Sequence, residues 1–290
     1  MNSTNFHIPN LTIIGVGLIG GSLALALKAA GVVGEVVGAG PGGVDLEKAL
    51  ALGIVDRITD DLAASVRQAD LVFLATPVLA LASVAAVIMP HLKPGAILTD
   101  GGSVKGEVVT AIEPLLRPDV EFVPGHPIAG TEKSGAEAAF ATLYQNRRCI
   151  LTPTARTGAD ALEQVRRMWQ AAGCEVVAME VAKHDRILAA ISHLPHMVAY
   201  SLVNAVGSDD RYEENILAYS AGGFRDFTRI ASSDPTMWRD IALTNREALL
   251  EMMERFEKFF AELKEDVRTG DGQAMFEFFL RSKQSRDAIL

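Results

Sequence analysis

The sequence predicts an α/β protein with a doubly wound, mostly parallel sheet over residues 1–180, followed by an all-α domain over residues 181–290. Three observations predict this fold class. Short strand-like runs alternate with helical patterns through the first part, as in repeated strand–helix–strand units. Several runs, LTIIG and LVFLAT among them, are continuously apolar, which is typical of strands covered by helices on both faces. After Val181 the pattern is helical only.

The first part contains seven predicted strands with helices between them. The strands cover residues 11–15, 35–38, 71–76, 96–100, 121–124, 149–152 and 175–179. The helices include residues 21–30, 46–52 and 159–172. In the second part, residues 181–206 indicate one long helix interrupted by Pro195. Apolar residues from Trp238 to Val267 then recur at steps of three or four, which predicts an amphipathic helix of about 30 residues. We expect the helical domain to form a homodimer.

Composition narrows the class of protein. With 49% apolar residues, 22% charged residues and a net charge of −9, the chain is neither disordered nor a good nucleic-acid binder. Its two cysteines, Cys149 and Cys174, are too few for a disulfide framework and are expected to be buried thiols. The N-terminus lacks the blocks of a signal peptide, and charge, Gly or Pro interrupts the longest apolar stretches. We therefore expect a cytoplasmic protein without a membrane span.

A glycine motif follows the first predicted strand. Gly15, Gly17 and Gly20 form G-x-G-x-x-G between the strand LTIIG and a helix. In this context the glycines permit a tight turn and close approach of a pyrophosphate to the N–H groups of the helix N-terminus. The motif predicts a Rossmann-type dinucleotide site that includes Leu18 and Ile19. The alternative is a glycine-rich turn without a ligand.

The end of the second strand bears on the choice of dinucleotide. NAD-binding proteins commonly carry Asp or Glu there, but this chain has Ala39 and Gly40, and no carboxylate before Asp45. Nothing in this turn would repel a 2′-phosphate, and no Arg grips one, so we favour NADP over NAD. We also assign Thr76 and Pro77, at the end of a neighbouring strand, to the cofactor site.

Two polar residues follow the fourth and fifth predicted strands. His126 comes after strand 121–124 in a turn rich in Gly and Pro, and Ser103 comes after strand 96–100. Ligands of doubly wound sheets lie at the carboxyl ends of strands. A neutral imidazole there could take a proton from a substrate hydroxyl as its carbon loses hydride. The alternatives are a turn histidine satisfied by backbone groups and, for Ser103, the N-cap of a helix.

The helical domain carries further candidates. Ser192 and His196, four residues apart beside Pro195, would share one helix face and line a cleft. The spacing of His193 and His196 is awkward for a metal, so we predict none. Arg229 offers the usual grip for a carboxylate, with the alternative of a surface ion pair with Asp226.

These motifs occur together in one known family. GVGLIGGS, ATPV, DGGSVK, GHPIAGTEKSG, SHLPH and GGFRDFTRIASSDPTMW follow in this order. The chain resembles the monofunctional prephenate/arogenate dehydrogenases, the oxidative decarboxylases of tyrosine biosynthesis, from about Leu11 to Phe260. The resemblance implies a small-molecule substrate and a helical dimerisation domain.

The resemblance also implies roles for individual residues. His126 matches the catalytic histidine, and Ser103 matches a serine that orients the substrate hydroxyl and nicotinamide. Arg229 matches the arginine that binds a substrate carboxylate. The remaining substrate-side positions are Thr131, Ser192, His196, Asp226 and Ser233.

Two other functions stay open at this stage. A β-hydroxyacid dehydrogenase would place a catalytic Lys on the long helix, but Lys183 is remote from SHLPH. A non-catalytic dinucleotide-sensing protein would leave His126, Ser103 and Arg229 unexplained as a set.

Overall fold

The computed structural model describes residues 6–208 and 216–289 and contains a six-stranded parallel sheet near its N-terminus. The strands are β1 Ile8–Ile14, β2 Val33–Ala39, β3 Arg57–Thr59, β4 Leu71–Leu74, β5 Ile97–Asp100 and β6 Glu121–Val123. Their order is β3-β2-β1-β4-β5-β6, so the winding reverses between β1 and β4. In such sheets the crevice at this reversal binds ligands. The predicted doubly wound fold is confirmed.

Helices cover both faces of this sheet and explain its apolar strands. They are α1 Leu18–Ala29, α2 Val44–Ala51, α3 Leu62–Ser65, α4 Val78–Ile88, α5 Gly106–Ile112 and α6 Ala159–Ala171. Every residue of β4 is buried, and its side chains divide between two hydrophobic clusters, one on each face of the sheet. Burial on both faces is what continuous apolar runs predict.

The structure contains a second sheet, whereas the sequence predicted only one. Its strands are β7 Gly125–Ile128, β8 Arg148–Leu151 and β9 Glu175–Ala178. β7 pairs antiparallel with β8, and β8 pairs parallel with β9. His126 therefore lies in a strand, opposite Ile150, and its placement in a turn is wrong. The short strand β3 was also missed. Cys149 and Cys174 are buried free thiols, as expected.

Every described element after β9 is helical. These elements begin with α7 Val181–Leu188, the π-helical turn Ala189–His193, α8 Leu194–Gly207, α9 Gly222–Thr228 and α10 Pro235–Thr244. The interruption predicted at Pro195 takes the form of this π-helical turn, which ends where α8 begins. Such turns widen a helix locally and are frequent at functional sites.

The predicted 30-residue amphipathic helix is broken in two. α10 ends at Thr244, and α11 Arg246–Thr269 follows, with α12 Gly272–Asp287 after it. The break falls at Asn245, a buried residue whose side chain bonds to α7 and to the π-helical turn instead of facing solvent. Internal contacts divide the chain into the compact units Met1–Arg246 and Glu247–Leu290. A boundary between domains near residue 180 stays a prediction.

Within the described residues, the helical run Val181–Gly207 is long and apolar enough to cross a membrane by length and composition alone. From the sequence we expected no membrane span. The run carries His184 and His193, both buried and both hydrogen-bonded to neighbouring groups. Core helices of globular proteins pass the same test, so this run by itself is weak evidence for a membrane.

Candidate active site

In the glycine loop after β1, the fold requires glycine at positions 15 and 20 but not at position 17. Gly15 has φ +95°, and a Cβ there would lie 2.7 Å from the carbonyl oxygen of Ala75. A Cβ on Gly20 would lie 2.2 Å from the oxygen of Gly15. A Cβ on Gly17 would meet nothing within 4 Å, and no side chain caps the start of α1 at Leu18. The loop thus leaves open space in front of free helix N–H groups, which fits a pyrophosphate.

The other predicted cofactor residues lie at the carboxyl ends of the neighbouring strands. Ala39 ends β2, and a Cβ on Gly40 would meet nothing within 4 Å. Thr76 and Pro77 follow β4, and the hydroxyl of Thr76 is buried without a hydrogen-bond partner among the described residues. A buried polar atom without a partner calls for an explanation, and a bound polar ligand supplies one. The cradle fits a dinucleotide.

One acidic residue at this edge escaped the sequence analysis. Asp60 follows β3, which pairs with β2 so that Thr59 lies opposite Ala39. The position of a Cβ on Gly42 lies 3.6 Å from the carboxylate Oδ2 of Asp60. The turn after β2 therefore has a carboxylate beside it, supplied by the next strand. Asp60 follows β3, a strand that the sequence did not predict.

His126 begins a chain of hydrogen bonds. It is only 8% exposed, and its Nδ1 lies 2.9 Å from Nε2 of His184 on α7. Nδ1 of His184 lies 2.7 Å from Oδ1 of Asp185. Neither His184 nor Asp185 was singled out from the sequence. Their only signal was a polar KHD run at the start of an otherwise apolar helix.

The carboxylate of Asp185 also closes the N-terminus of α5. Its Oδ1 accepts the backbone N–H of Lys105 at 2.8 Å, and its Oδ2 accepts that of Gly106 at 2.7 Å. The helix begins at Gly106 and has no side-chain cap from its own N-terminal flank. The alternative role of Ser103 as N-cap is therefore wrong, because a carboxylate distant in sequence takes that place.

A fully buried ion pair holds the strand that carries His126. The ammonium of Lys105 pairs with Oδ2 of Asp100, at the end of β5, and donates to the carbonyl of Gly125 at 2.7 Å. Oδ1 of Asp100 accepts the N–H of Gly125 at 3.2 Å. Both backbone groups of the residue before His126 are thereby fixed to β5 and its loop.

Burial keeps the histidines of this region neutral. Burial, then the nearby His184, Lys105 and His193, hold the pKa of His126 well below 6.5. Burial also lowers the pKa of His184, although the hydrogen bond to Asp185 offsets part of the effect. Burial acts to raise the pKa of Asp185, but hydrogen bonds from His184, Lys105 and Gly106 outweigh it and leave this carboxyl below its ordinary pKa.

His193 lies beside this group and is 1% exposed. The amide nitrogen of Asn245 lies 3.1 Å from Nδ1 of His193 and donates to the carbonyl of Asp185 at 2.9 Å. Nε2 of His193 is buried and has no hydrogen-bond partner in the part of the chain that the structure describes. Burial lowers the pKa of His193 to about 4. Among the described residues, no three His, Cys, Asp or Glu side chains are placed to hold a metal.

A second group surrounds His196. Its ring stacks on Trp238 with centroids 3.5 Å apart, and its Nδ1 donates to the carbonyl of Ser192 at 2.9 Å. Burial lowers the pKa of His196, and the charge of Arg229 lowers it further. Arg229 lies 3.2 Å from Oε2 of Glu132 in an exposed ion pair. The structure thus brings His196, Arg229 and Glu132 to one place, and Trp238 also contacts His193.

The remaining predicted site residues differ in their exposure and hydrogen bonds. Ser103 is half-buried in the loop after β5. Thr131 is exposed, and its hydroxyl accepts the N–H of Lys133. The carbonyl of Ser233 accepts the hydroxyl of Tyr200 at 2.8 Å. Ser192 is half-buried, and Asp226 is exposed.

We expect the free energy of unfolding to fall as the pH is lowered from 7 to 5. His193 binds its proton near pH 6.5 when unfolded and near pH 4 when folded. The unfolded state therefore holds more protons in this interval, so stability that is present above pH 6.5 is lost as the pH falls toward 4. His193 alone accounts for a loss of about 2 kcal/mol. Urea unfolding at the two pH values measures it.

The variant His193→Asn removes this titration and should lose about that much of the pH dependence. His91→Gln, which changes an exposed histidine, is the matched control and should retain the wild-type dependence. An unchanged dependence in His193→Asn would contradict the assignment.

Comparison with known proteins identifies the family. The profile described as "Prephenate dehydrogenase, nucleotide-binding domain" matches residues 23–178, and that described as "Prephenate dehydrogenase, dimerization domain" matches residues 180–281. A cyclohexadienyl dehydrogenase of Zymomonas mobilis is 41% identical over 97% of this chain and 96% of its own.

Two solved structures agree. A prephenate dehydrogenase from Aquifex aeolicus, in complex with hydroxyphenyl propionate and NAD+, is 38% identical with a TM-score of 0.92, and the match covers 99% of this chain and 100% of that one. An arogenate dehydrogenase from Synechocystis is 29% identical with a TM-score of 0.80, covering 97% and 100%. The resemblance seen in the sequence motifs is confirmed, and the chain belongs to the prephenate dehydrogenase family.

Proposed function

We propose that the chain catalyses the NAD(P)-dependent oxidative decarboxylation of prephenate, arogenate or both, giving 4-hydroxyphenylpyruvate or tyrosine. The observation that carries the proposal is the placement of His126. It lies in β7, which begins two residues after the carboxyl end of β6 in the parallel sheet. Burial holds its pKa well below 6.5, and its Nδ1 is hydrogen-bonded to His184. The names of the relatives, which include prephenate, arogenate and cyclohexadienyl dehydrogenases, support it.

The reaction needs a base for one proton. The substrate is a cyclohexadienol with a carboxylate at C1 and a hydroxyl at C4. When bound, the nicotinamide accepts the hydride that leaves C4. His126 takes the hydroxyl proton as the C4–O bond becomes a carbonyl. The C1–carboxylate bond then breaks, CO2 leaves, and its electron pair aromatises the ring and returns to the oxygen, which regains a proton from His126.

The other residues bind and orient. In this proposal Ser103 orients the hydroxyl, and Arg229 binds a carboxylate as a charged fork. His196 and Ser192 line the substrate side, with Thr131 on the loop opposite. We assign Asp226 and Ser233 to the same side; the carbonyl of Ser233 accepts the hydroxyl of Tyr200.

The ion pair at Arg229 bears on the substrate side chain. A substrate carboxylate that binds Arg229 competes with Glu132, which lies 3.2 Å away. Arogenate carries an ammonium group that would give Glu132 a new partner, whereas the keto group of prephenate would not. This favours acceptance of arogenate.

The choice of cofactor depends on the turn after β2. The sequence favoured NADP because this turn has no carboxylate of its own. Asp60, however, places one beside Gly42, where it would repel a 2′-phosphate. The related Aquifex aeolicus structure contains NAD+. We therefore propose NAD as the preferred cofactor, in place of NADP.

We further propose a cytoplasmic homodimer. The profile that matches residues 180–281 is described as a dimerization domain. Within the unit Glu247–Leu290, large apolar side chains remain exposed: Phe256, Phe259, Phe260, Val267, Phe276 and Phe279. Exposed apolar patches of this kind mark interaction surfaces.

A β-hydroxyacid dehydrogenase is the weaker candidate. Its catalytic Lys would have to be Lys183, which is exposed while its neighbour His184 faces the site. A solved 3-hydroxyisobutyrate dehydrogenase from Mycobacterium tuberculosis is only 13% identical to this chain, which shows the fold alone.

The variant His126→Asn should lower kcat at least about 10²-fold with little change in KM, because it removes the base and not substrate binding. Arg229→Ala should raise KM on the order of 10-fold, because it removes binding that is present before reaction. Formation of reduced cofactor with prephenate and with arogenate measures both. Arg148→Ala, which breaks a similarly exposed ion pair on β8, is the control for Arg229. Near-normal kcat in His126→Asn would refute the proposed base.

The two glycines of the loop should respond differently to alanine. Gly20→Ala forces a Cβ to 2.2 Å from a carbonyl oxygen and should lower Tm markedly. Gly17→Ala has room and an extended backbone, so Tm should hold while the Kd for the dinucleotide rises about 10-fold or more. Thermal unfolding and calorimetric titration separate the two effects. Equal losses of Tm would contradict the division of roles.

The variant Asp60→Asn should tighten NADP binding about 10-fold and leave NAD binding nearly unchanged, because it removes a like charge near the 2′-phosphate. Calorimetric titration with both cofactors measures the ratio of Kd values. Asp61→Asn keeps the cap of α3 while it removes the same charge, and it should change the ratio less. A wild-type protein that binds NADP more tightly than NAD would overturn the proposal.

A further inference from the structure

The hydrogen bonds from His126 to Asp185 determine which ring nitrogen of His126 holds a proton. An ionised carboxylate only accepts hydrogen bonds. Oδ1 of Asp185 lies 2.7 Å from Nδ1 of His184, so that nitrogen carries hydrogen. Asp185 is a reliable acceptor because it also receives the backbone N–H groups of Lys105 and Gly106.

The second bond follows from the first. A neutral His184 with hydrogen on Nδ1 has a lone pair on Nε2. That lone pair lies 2.9 Å from Nδ1 of His126, so Nδ1 of His126 carries hydrogen and donates. The lone pair of His126 is then on Nε2, which makes no hydrogen bond to the described residues.

We propose that His184 is a positioning residue: with Asp185 behind it, it holds His126 in the tautomer whose Nε2 accepts the substrate proton. The proposal rests on the proposed function for the reaction itself. Without an acceptor at Nδ1, His126 is free to carry its hydrogen on Nε2, where it blocks proton uptake.

The charged groups around His126 oppose its protonation, and the hydrogen bonds to His184 and Asp185 offset this effect. The ammonium of Lys105 lies on one side, paired with Asp100, and His193 lies near the ring. These groups and burial disfavour the imidazolium. The hydrogen bonds from His126 to His184 and from His184 to Asp185 stabilise the cation that forms when Nε2 takes the proton. A positively charged His126 donates a stronger hydrogen bond to His184, whose ring in turn donates to the carboxylate of Asp185. The proton on Nδ1 stays there throughout, and the one on Nε2 returns to the product oxygen.

The tautomer is measurable without turnover. The chain has six histidines, so nitrogen-15 labelling of histidine gives a small set of ring signals, and His126→Asn identifies the signal of His126. At neutral pH we expect His126 to be protonated at Nδ1 and bare at Nε2. In His184→Leu, which has no acceptor, this preference should be lost.

Kinetics provide the second readout. His184→Leu should lower kcat about 10²-fold with KM within about 3-fold, since substrate contacts remain. His184→Gln offers an amide oxygen to Nδ1 of His126 and should recover most of the lost kcat. His91→Gln, at an exposed site, should match wild type in both measurements.

The outcomes separate the two proposals. Hydrogen on Nε2 of His126 in the wild-type protein, or an unchanged tautomer and kcat in His184→Leu, overturns the role of His184. If His184→Leu does not fold, the wild-type spectrum and His184→Gln still decide. The expected tautomer in a protein that turns over neither prephenate nor arogenate leaves the role of His184 intact and refutes the proposed function.

Discussion

The carboxylate of Asp185 is the group on which the site depends. It is largely withdrawn from water and must be compensated by donors, which it finds in the N–H groups of Lys105 and Gly106 and in the ring of His184. These bonds tie the first helix after β9 to the N-terminus of α5, in the parallel-sheet part of the chain. The same bonds set the orientation of His184, and through it that of His126. If His126 is the base that we propose, structural anchoring and catalytic geometry share one side chain.

The buried pair of Lys105 and Asp100 complements this anchor. Buried ion pairs contribute little net stability, because desolvation offsets their attraction, so their value lies in position. Here the pair binds both backbone groups of Gly125 and places a positive charge near His126. That charge weakens His126 as a base but keeps it unprotonated at neutral pH. In the proposed reaction a weak base suffices, because aromatisation of the ring drives the step that proton removal begins.

The sequence predicted what depends on local pattern and missed what depends on distant contacts. Continuous apolarity predicted the parallel strands, and Pro195 predicted the interruption of the long helix. β7 was missed because GHPI contains Gly and Pro, which disfavour strands, and only its pairing with β8 makes it one. The break at Asn245 lies inside an unbroken amphipathic period and follows from bonds to Asp185 and His193. His184 and Asp185 were missed because a polar run at the start of a helix is typical of a solvated first turn. Asp60 was missed because it follows β3, a strand of only three residues without a recognisable pattern.

Because the net charge of the chain is −9, each anion site must supply its own positive charge or hydrogen-bond donors. A dinucleotide and a substrate with two carboxylates must bind against the overall field of the protein. The start of α1 meets this need with backbone N–H groups, in a loop where Gly15 and Gly20 serve the fold and Gly17 leaves space. Arg229 meets it with a guanidinium that Glu132 neutralises in the free protein. In the proposed function, a substrate carboxylate that binds Arg229 replaces the carboxylate of Glu132. The net free energy of binding then depends on the new partner of Glu132. In the proposed function Glu132, and not Arg229, is thus the group able to distinguish an ammonium-bearing substrate from a keto acid.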